Sequence, residues 1–198
     1  MLIYQSIDRL LFMETPTVRE QLLQHAQTLL MTRGYNGFSY RDLAGHVGVK
    51  TSSIHYYFPT KEDLALEAVN AYNDMVLTAI RGIDPALPAE KRLERYAKQF
   101  GLVLGNGDQI CLCGMLAADI ESLPDNVRQA VQSFFKANES WLAKVLTEGV
   151  ARGTLRVSGK VESAARALYA SFQGGVLASR LFHSKARLED VVNSVRVG

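Results

Sequence analysis

The sequence predicts an all-α fold in two parts, a three-helix unit over residues 14–64 and a larger helical body over 65–198. Three observations carry this. Helix-start signatures recur along the chain, apolar residues return at helical and almost never at alternating spacing, and glycine or proline stands where each run should stop. With 198 residues and 47% hydrophobic content, the chain has ample material for a core.

The elements follow in order. Thr17 and Glu20 form a capping box that opens a helix in which Val18, Leu22, Ala26, Leu29 and Leu30 repeat at helical spacing until Gly34. Ser39 and Asp42 open a second, short helix carrying Leu43 and Val47, which Gly48 ends. A third begins near Thr51 and stops before Pro59, which biases Phe58 out of helical geometry. Thr60 and Asp63 cap a fourth, from Lys61 to about Arg81. Pro85 and Pro88 bracket a loop before a helix over 90–104, and "GNGD" at 105–108 is a turn cluster. Residues 111–121 form a short apolar helix. Ser122, Pro124 and Asp125 start a long one that reaches Arg152 and stops at Gly153. "TLRVSG" is a loop, and helices over 160–183 and 186–196 complete a set of nine.

Composition narrows the function classes. A formal net charge of +2 gives no bulk argument for a nucleic-acid partner, so any such evidence must be local. The two cysteines, Cys111 and Cys113, lie one residue apart and are poorly placed to bridge each other, which fits a reducing cytoplasm. No run approaches the ~18 apolar residues that span a bilayer. The opening "MLIYQSIDRLLF" holds Asp8 and Arg9 and lacks a small-residue cleavage site, so it is a poor signal peptide. Met13, just before the first firm helix signal, is a candidate start beside Met1.

The local evidence lies in residues 39–58. Two short helices joined by a turn at Gly48 match the helix-turn-helix plan, in which the second helix enters the major groove. Leu43, Ala44, Val47, Val49 and Ile54 fix the angle between them, leaving a polar rim. Thr51, Ser52 and Ser53 open the second helix, where free N–H groups and the helix dipole favour phosphate oxygens. His55, Tyr56 and Tyr57 can donate to phosphates, Lys61 adds charge at the next helix start, and Arg41 reaches a guanine or a phosphate. Taken singly, each residue has a plainer alternative as cap, core edge or solvated side chain. Their order decides for a DNA-binding surface.

That order is specific to one family. "GFSYRDLAGHVGVKTSSIHYYFPTKEDL", after the helix "REQLLQHAQTLLMTRGY", resembles the N-terminal DNA-binding domain of TetR-type (TetR/AcrR) transcriptional regulators. The resemblance implies that Ser39, Tyr40 and Arg41 open the first helix of the motif, that Thr51, Ser52, Ser53, His55, Tyr56 and Tyr57 line the recognition helix, and that Lys61 clamps a phosphate. His55 stands where the family commonly has Tyr, which implies a contact of different pH dependence. Over residues 14–64 five Lys/Arg face five Asp/Glu, so affinity should rest on geometry and dimerisation, with a shallow salt slope.

The resemblance further implies a homodimer on a pseudo-palindromic double-stranded DNA operator, with a small-molecule effector held in the C-terminal helical ligand-binding and dimerisation domain. Candidate effector contacts are Tyr72, Met75, Phe100, Met115, Phe134, Trp141, Tyr169 and Gln173; ordinary core is the plainer alternative for each. Leu168, Phe172, Gly175, Ser179 and Phe182 recur with Ala164 as a seam for dimerisation, or for packing within one chain. "QICLCGMLAADIE" resembles a segment of family members that sense electrophiles, with Cys111 as the sensing thiol and Asp119 or Glu121 following; a pair of buried small hydrophobes is the alternative. No cofactor, metal or membrane contact is expected. The competing classes are a small all-helical enzyme and a protein-interaction module. Against them, no metal-ligand spacing, phosphate loop or nucleophile–base motif stands in the sequence.

Overall fold

The computed structural model describes residues 16–105, 109–184 and 186–194. The readings placed on Met1, Met13 and positions 106–108 lie outside them. Among the described residues nine α-helices follow in order: α1 Val18–Arg33, α2 Tyr40–Val47, α3 Thr51–Tyr57, α4 Lys61–Arg81, α5 Ala89–Gly105, α6 Leu112–Ala118, α7 Asp125–Ala151, α8 Val161–Leu181 and α9 Ala186–Asn193. No helix among them is long and apolar enough to cross a membrane.

Local chemistry sets the boundaries. All three expected capping boxes close, at Thr17/Glu20, Ser39/Asp42 and Thr60/Asp63. The hydrogen bonds from Thr17 and Ser39 hold the Glu20 and Asp42 carboxyls below their ordinary range. Gly48 adopts the left-handed conformation at φ 75°, and its N–H donates to Ala44 O at 2.9 Å. An L side chain there would be strained. One expected helix is divided: α6 stops at Ala118 and a separate 3₁₀ turn covers Ile120–Ser122. The Asp119 carboxylate between them is engaged elsewhere, accepting from Tyr35 N–H at 2.7 Å.

α1, α2 and α3 enclose a small core of Leu22, Leu30, Leu43, Ile54 and Phe58. In the body, α7 packs against α4, α5, α6 and α8. An aromatic stack of Trp141, Tyr96, Phe100 and Phe172 occupies its centre, with neighbouring centroids 5.1–5.5 Å apart. Arg92, buried, pairs with Glu148 behind that stack.

The last turn of α1 fastens the two parts together. Its final carbonyls have no partner within the helix. Thr32 O accepts from the Arg180 guanidinium on α8 at 3.1 Å, and Met31 O from Ile110 N–H at 3.4 Å. Further back, Gln27 Nε2 donates to Ala68 O on α4 at 3.1 Å.

Candidate functional site

α3 presents two different faces. Ile54 turns inward, fully buried, and Phe58 closes the core behind it. On the other side Thr51, Ser52, His55 and Tyr56 are exposed, with Ser53 and Tyr57 half-buried. Tyr56 leaves 81% of its surface open, its ring meeting Tyr57 edge-on at 5.0 Å. No side chain caps the start of α3; Ser53 N–H donates to Lys50 O at 3.0 Å, and the N–H groups of Thr51 and Ser52 face an external acceptor. Arg41 on α2 is also exposed.

Three of the expected DNA contacts already hold hydrogen-bond partners within the chain. The Ser39 hydroxyl donates to Asp42 Oδ2 at 2.6 Å as part of its cap. The Tyr40 hydroxyl reaches Phe58 O at 2.9 Å and Thr60 O at 2.5 Å, tying α2 to the α3–α4 turn. Burial, with Asp63 nearby, pushes that phenol up to about 12. Lys61 Nζ donates to Phe38 O at 2.5 Å and lies over the rings of Phe38 and Tyr35, 4.4 and 4.9 Å from their centroids. Burial lowers its pKa. Tyr40 thus ties α2 to the end of α3, Lys61 ties the start of α4 to the segment before α2, and Ser39 caps α2; the turn carbonyls of Phe38, Phe58 and Thr60 gain donors. Tyr40 also supports the His55 ring at 4.9 Å, while His55 Nδ1 lies 3.2 Å from Pro59 O. Lys50, exposed at the N-cap of α3, places a further cation beside the rim, one that the sequence reading did not include.

A cavity of about 420 Å³ opens between α1, α4, α5 and α7. Of the expected effector contacts, Tyr72, Met75, Phe100, Cys111 and Phe134 line it. Met115, Trp141, Tyr169 and Gln173 do not. Trp141 lies behind Tyr96, stacked on it at 5.1 Å, and Tyr96 faces the cavity in its place. Gln173 Nε2 donates to the Tyr169 hydroxyl at 2.8 Å, and Gln173 sits against the backbone of Gly114, where a β-carbon would strike it. Met115 is half-buried against the core. Sequence reasoning missed the wall contributed by α1, namely Gln24, Gln27, Thr28 and Met31. The signal was a second stripe at helical spacing, polar between the apolar positions.

Cys111, at the N-cap of α6, is buried but borders the cavity. Tyr72, Tyr96 and Tyr169 surround the thiol; burial first, and Cys111 after it, raise all three phenols. Burial, followed by Cys111, likewise pushes Cys113 well above the ordinary thiol range. Cys113 Sγ lies 3.6 Å from Asn73 Oδ1.

The expected dimer seam also needs correction. Leu168, Phe172 and Ser179 are buried within the chain, and Gly175 packs against Val191 and Leu188. Only Phe182 of that set is open, with Arg187 stacked over its ring at 3.8 Å. The outward face of α8 is the adjacent stripe of Ala167, Ala170, Ser171, Gly174, Leu177 and Leu181. Leu177 and Leu181 are 52% and 73% exposed.

Both parts of the chain have counterparts among known proteins. Residues 22–68 match the family described as "Bacterial regulatory proteins, tetR family", and residues 91–195 match "Tetracyclin repressor-like, C-terminal domain". The HTH-type transcriptional repressor DhaR of Mycobacterium sp. (strain GP1) is 25% identical over 181 residues, covering 90% of each chain. A TetR transcriptional regulator from Legionella pneumophila superposes with a TM-score of 0.83 at 29% identity, covering 91% of this chain and 96% of that one. A TetR-family regulator from Agrobacterium tumefaciens gives 0.85 at 28%, covering 91% and 98%. A helix-turn-helix with an outward polar rim, joined to a helical body and matched over both parts, places this chain in the TetR family of transcriptional regulators.

Proposed function

We propose that the chain is a homodimeric repressor that leaves a pseudo-palindromic operator when a small molecule enters the cavity beside α4. One observation carries this reading: the cavity wall is shared between α1 of the helix-turn-helix unit and α4 and α5 of the body. A ligand there bears on both parts at once. The division into a DNA-binding part (14–64) and an effector and dimer part (65–198) therefore has its working seam at the cavity. Ligand entry changes the angle of α1 on α4, where Gln27 bonds Ala68 O, and so the separation of two recognition helices. That separation must match ~34–36 Å, one turn of duplex. A coupling of ~1–3 kcal/mol suffices for a ~5–150-fold change in affinity.

The small-residue stripe of α8, continued by Leu177 and Leu181, supports a two-fold helical contact between copies. Cys111 gives the cavity one nucleophile, which supports an electrophilic effector. Gel shifts with the DNA flanking the protein's own gene test the whole reading. A discrete dimer–DNA complex is expected, dissolved by a reactive carbonyl or quinone in the wild type and retained in Cys111→Ser. Equal release from Cys111→Ser removes the thiol from the mechanism, and no complex with any flanking DNA removes the repressor reading.

A further inference from the structure

The cavity is mainly apolar, and the hydrogen-bonding groups that its described residues bring to it are neutral. Among the described residues lining it there is no Lys, Arg, His, Asp or Glu. Its polar groups are chiefly carboxamides. Asn138 uses both ends of its amide within the chain, accepting from the Tyr96 hydroxyl at 2.9 Å and donating to Phe134 O at 2.9 Å. Gln27 has committed its amide N–H to Ala68 O. The side chains of Gln24, Gln99 and Gln109 have no hydrogen-bond partner among the described residues. Each can donate and accept at once. At the mouth stand two apolar side chains that the fold leaves exposed, Met75 at 59% and Leu102 at 67%.

We propose that this cavity binds an uncharged, mainly apolar small molecule carrying at least two hydroxyl or carbonyl groups, and that it rejects carboxylates and phosphate esters. The inference rests on the effector reading above and adds the ligand's charge class. A carboxylate moved from water into this site meets no cation to offset its lost hydration, whereas an ester, ketone or alcohol loses little and gains the free amides. The volume falls within the range of sites that enclose small organic ligands. The exposed Met75 and Leu102 side chains give the apolar part of the ligand a surface to cover, and Gln24 brings one of its polar groups onto α1.

Calorimetric titration of the full chain with matched pairs tests this. The panel consists of neutral esters, ketones and alcohols, each set beside its own acid, with methyl 6-hydroxy-2-naphthoate against 6-hydroxy-2-naphthoate as the reference pair. Neutral members should bind at least about tenfold tighter than their acids near neutral pH. Gln24→Arg, which supplies the missing cation, should reverse the order within a pair. Gln99→Leu should weaken the hydroxyl- and carbonyl-bearing ligands. Acids binding as tightly as their neutral partners, or a panel in which no neutral member binds, overturns the charge assignment. The two readings fail separately: neutral ligands that bind tightly but leave the DNA complex intact in a gel shift overturn the effector reading and leave the charge class standing.

Discussion

Tyr40 illustrates how one residue braces the helix-turn-helix from within. Its hydroxyl sits between two carbonyls of the α3–α4 turn, and its ring backs His55. Tyr40→Phe should cost about 1 kcal/mol of stability, the net worth of one such bond. Because its folded pKa is raised, the contribution is intact below the unfolded phenol's pKa of about 10 and is lost as pH rises through about 12. Tyr72, Tyr96 and Tyr169 are raised as well, so the difference between variant and wild type is the informative quantity. Thermal melts between about pH 9 and 12 should show the gap narrowing as pH climbs; a gap that stays constant would mean that the hydroxyl is not held as described. Lys61 makes the same point. Its position at a helix start suggests a phosphate clamp, and sequence alone does not show that its ammonium also reaches back to Phe38 O, as it does here.

At the level of elements, helix starts and stops were legible because they depend on neighbours in sequence. The three capping boxes, Gly48 and the stop before Pro59 all lie where local chemistry puts them. Two things were not legible. The break at Asp119 depends on a hydrogen bond from Tyr35, 84 positions away. Which face of α8 turns inward depends on what packs over it; both its stripes have helical spacing, and the bulkier one with Leu168 and Phe172 went to the core. The cavity lay between these cases: five of its expected contacts line it, while the α1 side was hidden because α1 had been assigned wholly to the DNA-binding part. Close packing of elements gives a direct test at Gly149 on α7, where an added β-carbon would collide with Leu155 and approach Ala89 at 2.9 Å. Gly149→Ala should destabilise the fold by about 1–3 kcal/mol in urea titration, and an unchanged midpoint would contradict that packing.

Across the whole molecule, α3 is braced by hydrogen bonds from its neighbours, and the unit that carries it shares a cavity wall with the helical body. Tyr40 ties α2 to the α3–α4 turn and Lys61 ties α4 to Phe38 O, while Met31, Thr32 and Tyr35, at and just beyond the end of α1, anchor the unit to Ile110 and Asp119 on either side of α6 and to Arg180 of α8. The near balance of charge over the first part gives it little bulk attraction for a duplex, so the proposed binding rests on shape and on two-fold repetition. Ser52 and Tyr56 are the exposed rim side chains of α3 for which the fold shows least use, and this is the point to test. Fluorescence anisotropy should be measured on DNA flanking the protein's own gene with the wild type and with Ser52→Ala/Tyr56→Ala, alongside melting temperatures. Both side chains are exposed, so the melting temperature should stay within about 0.5 kcal/mol of equivalent stability while DNA affinity falls at least about tenfold. Undiminished affinity in a folded variant would contradict the assignment of this face to the duplex.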